Sequence, residues 1–119
     1  MTDRHDVSLQ DVYAARARLR GHILTTPLRE SAWLSLTANA AVLLKLESVQ
    51  LTNSFKIRGA MHAALRLAQS DRPRRLVTAS AGNHGRAIAV AAARFGLTVL
   101  GARQPARVSG ARKGPITRS

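Results

Sequence analysis

Three lysines, Lys45, Lys56 and Lys113, stand against sixteen arginines in this chain. Lys56 falls in SFKIRGA (54–60), where a helix is expected to begin, with Phe55 and Ile57 on either side. The positive end of a helix dipole, and an apolar neighbour that keeps water away, both favour the uncharged form of an amine. That is the form that attacks a carbonyl carbon. The stretch therefore points to carbonyl-binding chemistry, with an ordinary solvated lysine as the alternative.

A second stretch, SAGNHG (80–85), has a different capacity. Small residues between a strand and a helix leave backbone N–H groups open, and the helix terminus adds partial positive charge, so such a turn can hold an anion. In a parallel α/β sheet, turns of this kind lie at the carboxyl ends of strands, where ligands bind. Each turn taken alone also serves as a plain tight connection. The four histidines, His5, His22, His62 and His84, have no metal-ligand spacing, so no metal site is expected. His62 lies in an Ala-rich stretch and reads as structural, and Arg58 reads as half of a structural salt bridge or a cap.

The elements that must position these groups follow from periodicity and punctuation. SLQDVYAARARL (8–19) reads as a helix capped by Ser8, with Asp11 in the capping-box position and Gly21 as its end. ILTTPL (23–28) is extended ahead of Pro27, and SAWLSLTAN (31–39) is a short helix stopped at Asn39. AVLLKLES (41–48) is an unbroken aliphatic run of strand length, expected to be a buried strand. A loop over 49–53 leads to a helix over 54–69, a polar turn and a strand over 75–80. A glycine-rich turn over 81–85, a helix over 86–95 ended by Gly96, and a strand over 97–100 complete the order. Strand and helix alternating through short turns predict an α/β fold with βαβ units and a parallel sheet.

The net charge of +13 divides unevenly. Residues 1–100 hold 14 basic and all six acidic residues, a balance of +8, while residues 101–119 hold five basic and no acidic ones. A small basic module that binds nucleic acid through phosphate contacts is one reading of such a chain. The arginines are scattered, however, and the four aromatics are not interleaved with them, which argues against it. No apolar run approaches the ~20 residues of a membrane span. The polar start MTDRHDVSLQ lacks a signal peptide's apolar segment. With no cysteine as well, a cytoplasmic location is expected.

L-E-S-V-Q-L-T-N-S-F-K-I-R-G-A (46–60), followed by S-A-G-N-H-G (80–85), closely resembles the threonine dehydratase and serine racemase family. These are pyridoxal-phosphate (PLP) enzymes of the tryptophan-synthase-β fold type, and T-T-P-L (25–28) also resembles the family's early segment. One departure is Asn53, where the family more often has glycine; asparagine also accepts positive φ. The resemblance implies that Lys56 bonds covalently to PLP and takes the proton from the substrate's Cα. It implies that Phe55 and Asn83 contact the cofactor, the Asn83 amide at the ring 3-hydroxyl. Ser80, Ala81, Gly82, Asn83 and His84 would hold the substrate carboxylate. The implied reaction is β-elimination from threonine or serine, giving a 2-oxo acid and ammonia, with PLP as electron sink.

Members of that family are much longer. The sequence shows no glycine-rich phosphate loop of the G-G-G-G kind, and no residue assignable to the pyridine nitrogen. Residues 1–100 therefore read as the N-terminal part of such an enzyme, starting in its large domain and running into its small one. Residues 101–119 read as an unstructured basic tail, translated out of frame. The expectation is a truncated dehydratase, inactive alone, with a serine racemase-like enzyme as an alternative. A split-subunit enzyme is a further alternative, needing a complementing chain that bears the phosphate loop; a homo-oligomer is the other partner expected.

Overall fold

The computed structural model describes residues 6–71 and 74–101. Helix α1, Leu9–Leu19, begins as its sequence dictates. Ser8 Oγ accepts from the Asp11 N–H at 3.2 Å, and the Asp11 carboxylate accepts from the Ser8 N–H at 2.9 Å, so two orphan donors are satisfied reciprocally. Gly21 follows the helix with φ +77°, a left-handed turn that glycine makes without strain. Strand β1, Leu28–Glu30, leads into α2, Ala32–Ala38, which is capped by Ser31 and stopped by Asn39 at φ 49°.

The aliphatic run after α2 departs from expectation. Strand β2 covers only Leu43–Lys45, is exposed, and pairs antiparallel with β1, Leu28 opposite Lys45 and Glu30 opposite Leu43. Both the predicted burial and the predicted parallel pairing fail here. A dense aliphatic run identifies a strand, but burial also needs a layer on each face, and no described element packs over this hairpin. The same applies to α2, whose Trp33 is 73 % exposed.

The core lies further along the chain. A 3-10 turn, Glu47–Val49, leads through a loop into α3, Lys56–Ala68. Strand β3, Arg75–Thr78, then α4, Asn83–Phe95, and β4, Thr98–Gly101, form a βαβ unit. The strands are parallel and in register from Arg75 opposite Thr98 to Thr78 opposite Gly101. Here the predicted α/β class with a parallel sheet is met. Helix α4 begins three residues earlier than expected, because Asn83, His84 and Gly85 form its first turn, and β3 ends two residues early, so residues 79–82 form the connection.

Helices α3 and α4 bury complementary stripes. Ile57, Ala60, Met61 and Ala64 follow the i, i+3, i+4, i+7 spacing of one helical face, and Ala87, Ile88, Ala91 and Ala92 supply the facing stripe. With so many alanines between them, the backbones can approach closely. Leu19 of α1 and Leu97 ahead of β4 join the same cluster. Gly101, the first residue of the tail expected over 101–119, ends β4 instead, and the rest of that stretch lies outside the described residues.

Candidate active site

Lys56 is the first residue of α3, as the sequence suggested. Phe55 occupies the N-cap position in helical geometry, and no side chain caps the helix. The Lys56 Nζ lies 4.9 Å from the centre of the Phe55 ring and makes no hydrogen bond or ion pair among the described residues. Phe55 itself is 59 % exposed, so the water exclusion expected of it is not supplied here. The amine is open to an incoming carbonyl.

The approach to α3 is tightly built. Gln50 is 2 % exposed, and its side-chain amide pairs with both backbone groups of Leu24: the Leu24 N–H donates to Oε1 at 2.9 Å, and Nε2 donates to the Leu24 carbonyl at 2.9 Å. Asn53 then turns the chain at φ 55°, the positive φ that its side chain tolerates. The hydroxyls of Thr52 and Ser54 are buried without a hydrogen-bond partner among the described residues.

Arg58 forms the structural salt bridge anticipated for it. Its Nε donates to Glu47 Oε2 at 2.8 Å and its Nη2 to Oε1 at 2.6 Å, a two-pronged contact. The Thr26 hydroxyl donates to the same Oε1 at 2.5 Å, and Lys45 Nζ donates to the Thr26 carbonyl at 2.6 Å. The Arg58 hydrogen bonds hold the Glu47 carboxyl at about 2, below its ordinary 4.5; burial opposes this, while the Thr26 hydroxyl and the charges of Arg58 and Lys45 add to it. Because the folded value is the lower one, the contact stabilises the chain above about pH 4.5 and is lost as the pH falls toward 2. Urea titrations at pH 7 and pH 3 are expected to differ by on the order of 1 kcal/mol from this carboxylate after solvent screening. Glu47→Gln should flatten that part of the difference.

The segment Ser80–His84 stands ahead of α4 and in its first turn. Ser80 Oγ accepts from the Gly82 N–H at 3.3 Å, and Gly82 caps α4 with no side-chain hydrogen bond. The Asn83 and His84 N–H groups, at the first two helical positions, have no intrahelical acceptor. A Cβ added at Gly85 would lie 1.8 Å from the Ser80 carbonyl oxygen, so this glycine lets the loop fold back onto the helix. Gly85→Val is expected to push the loop off its seat at a cost of about 1–3 kcal/mol, read in a thermal melt.

The predicted site residues thus fall in two groups. Phe55 caps and Lys56 begins α3; Ser80, Ala81 and Gly82 lead into α4, the helix packed against α3, and Asn83 and His84 begin it. Among the described residues no hydrogen bond links the two groups. A cavity of about 750 Å³ lies to one side, between α1 and the Lys45–Arg58 stretch; it reaches Phe55, Glu47 and Arg58 but neither Lys56 nor the 80–84 segment. His62 meets Arg18 of α1 at 3.5 Å, and burial lowers its pKa, aided by the charges of Arg18 and Arg66. Sequence reasoning missed Thr26, Glu47 and Gln50. Glu47 had one available signal: it is one of six acids in a strongly basic chain, and it closes an aliphatic run.

The profile of a pyridoxal-phosphate dependent enzyme family matches residues 19–113. The chain belongs to that family. The match runs past Leu100, thirteen residues into the stretch read as a tail. A Sinorhizobium fredii protein described as a threonine dehydratase is 45 % identical over 96 residues, covering 81 % of this chain and 29 % of its own length. A solved threonine deaminase from T.th. is 40 % identical with a TM-score of 0.66, covering 79 % of this chain and 33 % of its own. Maize serine racemase is 29 % identical with a TM-score of 0.69, covering 78 % and 29 %. The chain therefore spans a third or less of the length of these relatives.

The residues present fit the family's cofactor at one end. PLP carries an aldehyde and a phosphate, and Lys56 offers an unengaged amine for the first. The uncapped start of α4 offers backbone donors to an anion. No candidate for the phosphate loop occurs in the sequence. Among the described residues no group of His, Asp and Glu could hold a metal ion, and no helix is long and apolar enough to cross a membrane.

Proposed function

We propose that this chain carries the PLP-bonding lysine and the carboxylate-binding turn of a hydroxy-amino-acid ammonia-lyase acting on threonine or serine. The observation that carries this reading is the placement of Lys56, free and exposed, at the start of a helix packed against the uncapped helix α4. Bound PLP draws electrons away from the substrate's Cα. The residues of this chain do the rest that falls to them. The Lys56 amine takes the Cα proton. The N–H groups at the start of α4 hold the substrate carboxylate, which keeps the scissile bond oriented. Asn83 faces the cofactor through its amide, and loss of the substrate hydroxyl leads to a 2-oxo acid and ammonia. The threonine dehydratase and threonine deaminase named above support the substrate class.

A serine racemase-like activity is the second reading, favoured by the likeness to the maize enzyme. The two readings part at the product, since a racemase inverts Cα and releases no ammonia. The site itself is tested by incubating the purified chain with PLP, reducing with borohydride and mapping the adduct by mass spectrometry. Concentration on Lys56 over Lys45 and Lys113 is the expected result. Equal labelling of the three would overturn the site. Residues 1–119 contain no glycine-rich phosphate loop, so by themselves they are expected to hold PLP weakly.

A further inference from the structure

We infer that Glu47 is a positioning residue for Lys56, acting through Arg58 to fix the first turn of α3. This rests on the proposed role of Lys56. The start of α3 needs such a hold. It has no side-chain cap, and of its leading N–H groups only that of Arg58 is bonded, to the Phe55 carbonyl at 3.0 Å, so by itself the turn frays. The nearby hydroxyls of Thr52 and Ser54, although buried, bond to nothing among the described residues and do not tie it down.

The Glu47 carboxylate does. Arg58 is two residues beyond Lys56, within the same helical turn, so an anchor on Arg58 fixes the Lys56 backbone to within that turn's stiffness. The anchor is a fork: the planar guanidinium meets both carboxylate oxygens, at 2.8 and 2.6 Å, which sets an orientation as well as a distance. The carboxylate is itself held. Thr26 donates to it at 2.5 Å, Lys45 bonds to the Thr26 carbonyl, and Gln50 locks the adjoining turn to Leu24. Three stretches distant in sequence, around residues 24–26, 45–50 and 56–58, are thereby joined at the base of the lysine. Ile57, between Lys56 and Arg58, is fully buried and also seats this turn, while Met61 and the buried residues after it hold the remainder of α3. Loss of Glu47 should therefore loosen the turn without unfolding the helix.

The test uses the 119-residue chain, Glu47→Gln and Arg58→Lys. Hydrogen exchange by NMR is read at residues 58–61, whose amides close the first turn, and at 64–68 as the internal reference. In Glu47→Gln, exchange at 58–61 is expected to rise about tenfold with 64–68 unchanged. In the PLP and borohydride reaction, the Lys56 share of the adduct should fall toward about one third, the even share for three lysines. Arg58→Lys keeps the charge and loses the fork, and should behave like Glu47→Gln; wild-type behaviour would overturn the inference. So would unchanged exchange at 58–61 in Glu47→Gln. If Glu47→Gln unfolds throughout, Thr26→Val removes a single bond to the carboxylate and reads the same effect in weaker form. An even adduct in the wild type, together with faster exchange in the variant, would instead sink the role of Lys56 and leave Glu47 a purely structural residue.

Discussion

Lys56→Arg is expected to abolish the borohydride-trapped adduct at position 56 while leaving the stability of the chain within about 0.5 kcal/mol of wild type. The two halves of that expectation have separate causes. Lys56 is exposed and bonded to no described side chain, so its removal leaves no buried group without a partner. A cation at the start of a helix costs about 0.3–1 kcal/mol against the dipole, and its approach to an exposed aromatic face returns about 0.5–1 kcal/mol. Arginine keeps both terms. What it cannot do is become a neutral amine, so the reaction with an aldehyde stops completely. An adduct that persists in Lys56→Arg would mean that the label was elsewhere all along. A large fall in melting temperature would mean that Lys56 supports the fold instead.

Met61→Ala is the substitution with the largest expected effect on stability. Among the described residues Ile57 and Met61 are the largest fully buried apolar side chains, and many of their neighbours in the α3–α4 contact are alanines. Alanine neighbours cannot swing into a void, so the space left by Met61 should stay largely unfilled. Truncations of this kind cost about 2–5 kcal/mol, a large part of the roughly 5–15 kcal/mol that holds a typical domain. At roughly 4–8 °C per kcal/mol for a domain of this size, the midpoint should fall by about 10–30 °C. A change of less than about 1 kcal/mol by circular dichroism would show that the two helices are not packed as described. Met61→Leu conserves volume and should lose under about 1.5 kcal/mol.

Much of this architecture was legible because it is written locally. Ser8 and Asp11, three residues apart, specify a reciprocal cap, and Gly21, Asn39 and Gly96 each end a helix in the left-handed conformation they favour. The Ala-rich stretch after Lys56 carries its apolar residues at helical spacing, so α3 could be read almost to the residue. The misreadings arose where meaning is not local. The three-residue strand β1, Leu-Arg-Glu, has no pattern that marks it as the partner of β2. Asn83 to Gly85 look like turn residues because glycine and asparagine usually are, yet they form the first turn of a helix whose N-cap is Gly82. Of the candidate site, the two motifs could be found by residue type. The hold on Lys56 could not, since Glu47, Thr26 and Arg58 meet only once the chain has folded.

The position of Trp33 has a practical bearing on any of these measurements. It is the single tryptophan, it lies largely in water on α2, and it takes no part in the α3–α4 cluster. Its emission should already be red-shifted in the native chain and should change little when the core melts. A flat fluorescence trace on heating would therefore say nothing about Met61, and a steep one would report the α2 hairpin coming apart. Recording the trace beside the far-ultraviolet signal turns this into an optical test of cooperativity: coincident midpoints would mean that the hairpin and the βαβ unit melt as one body, and separated midpoints that they melt as two.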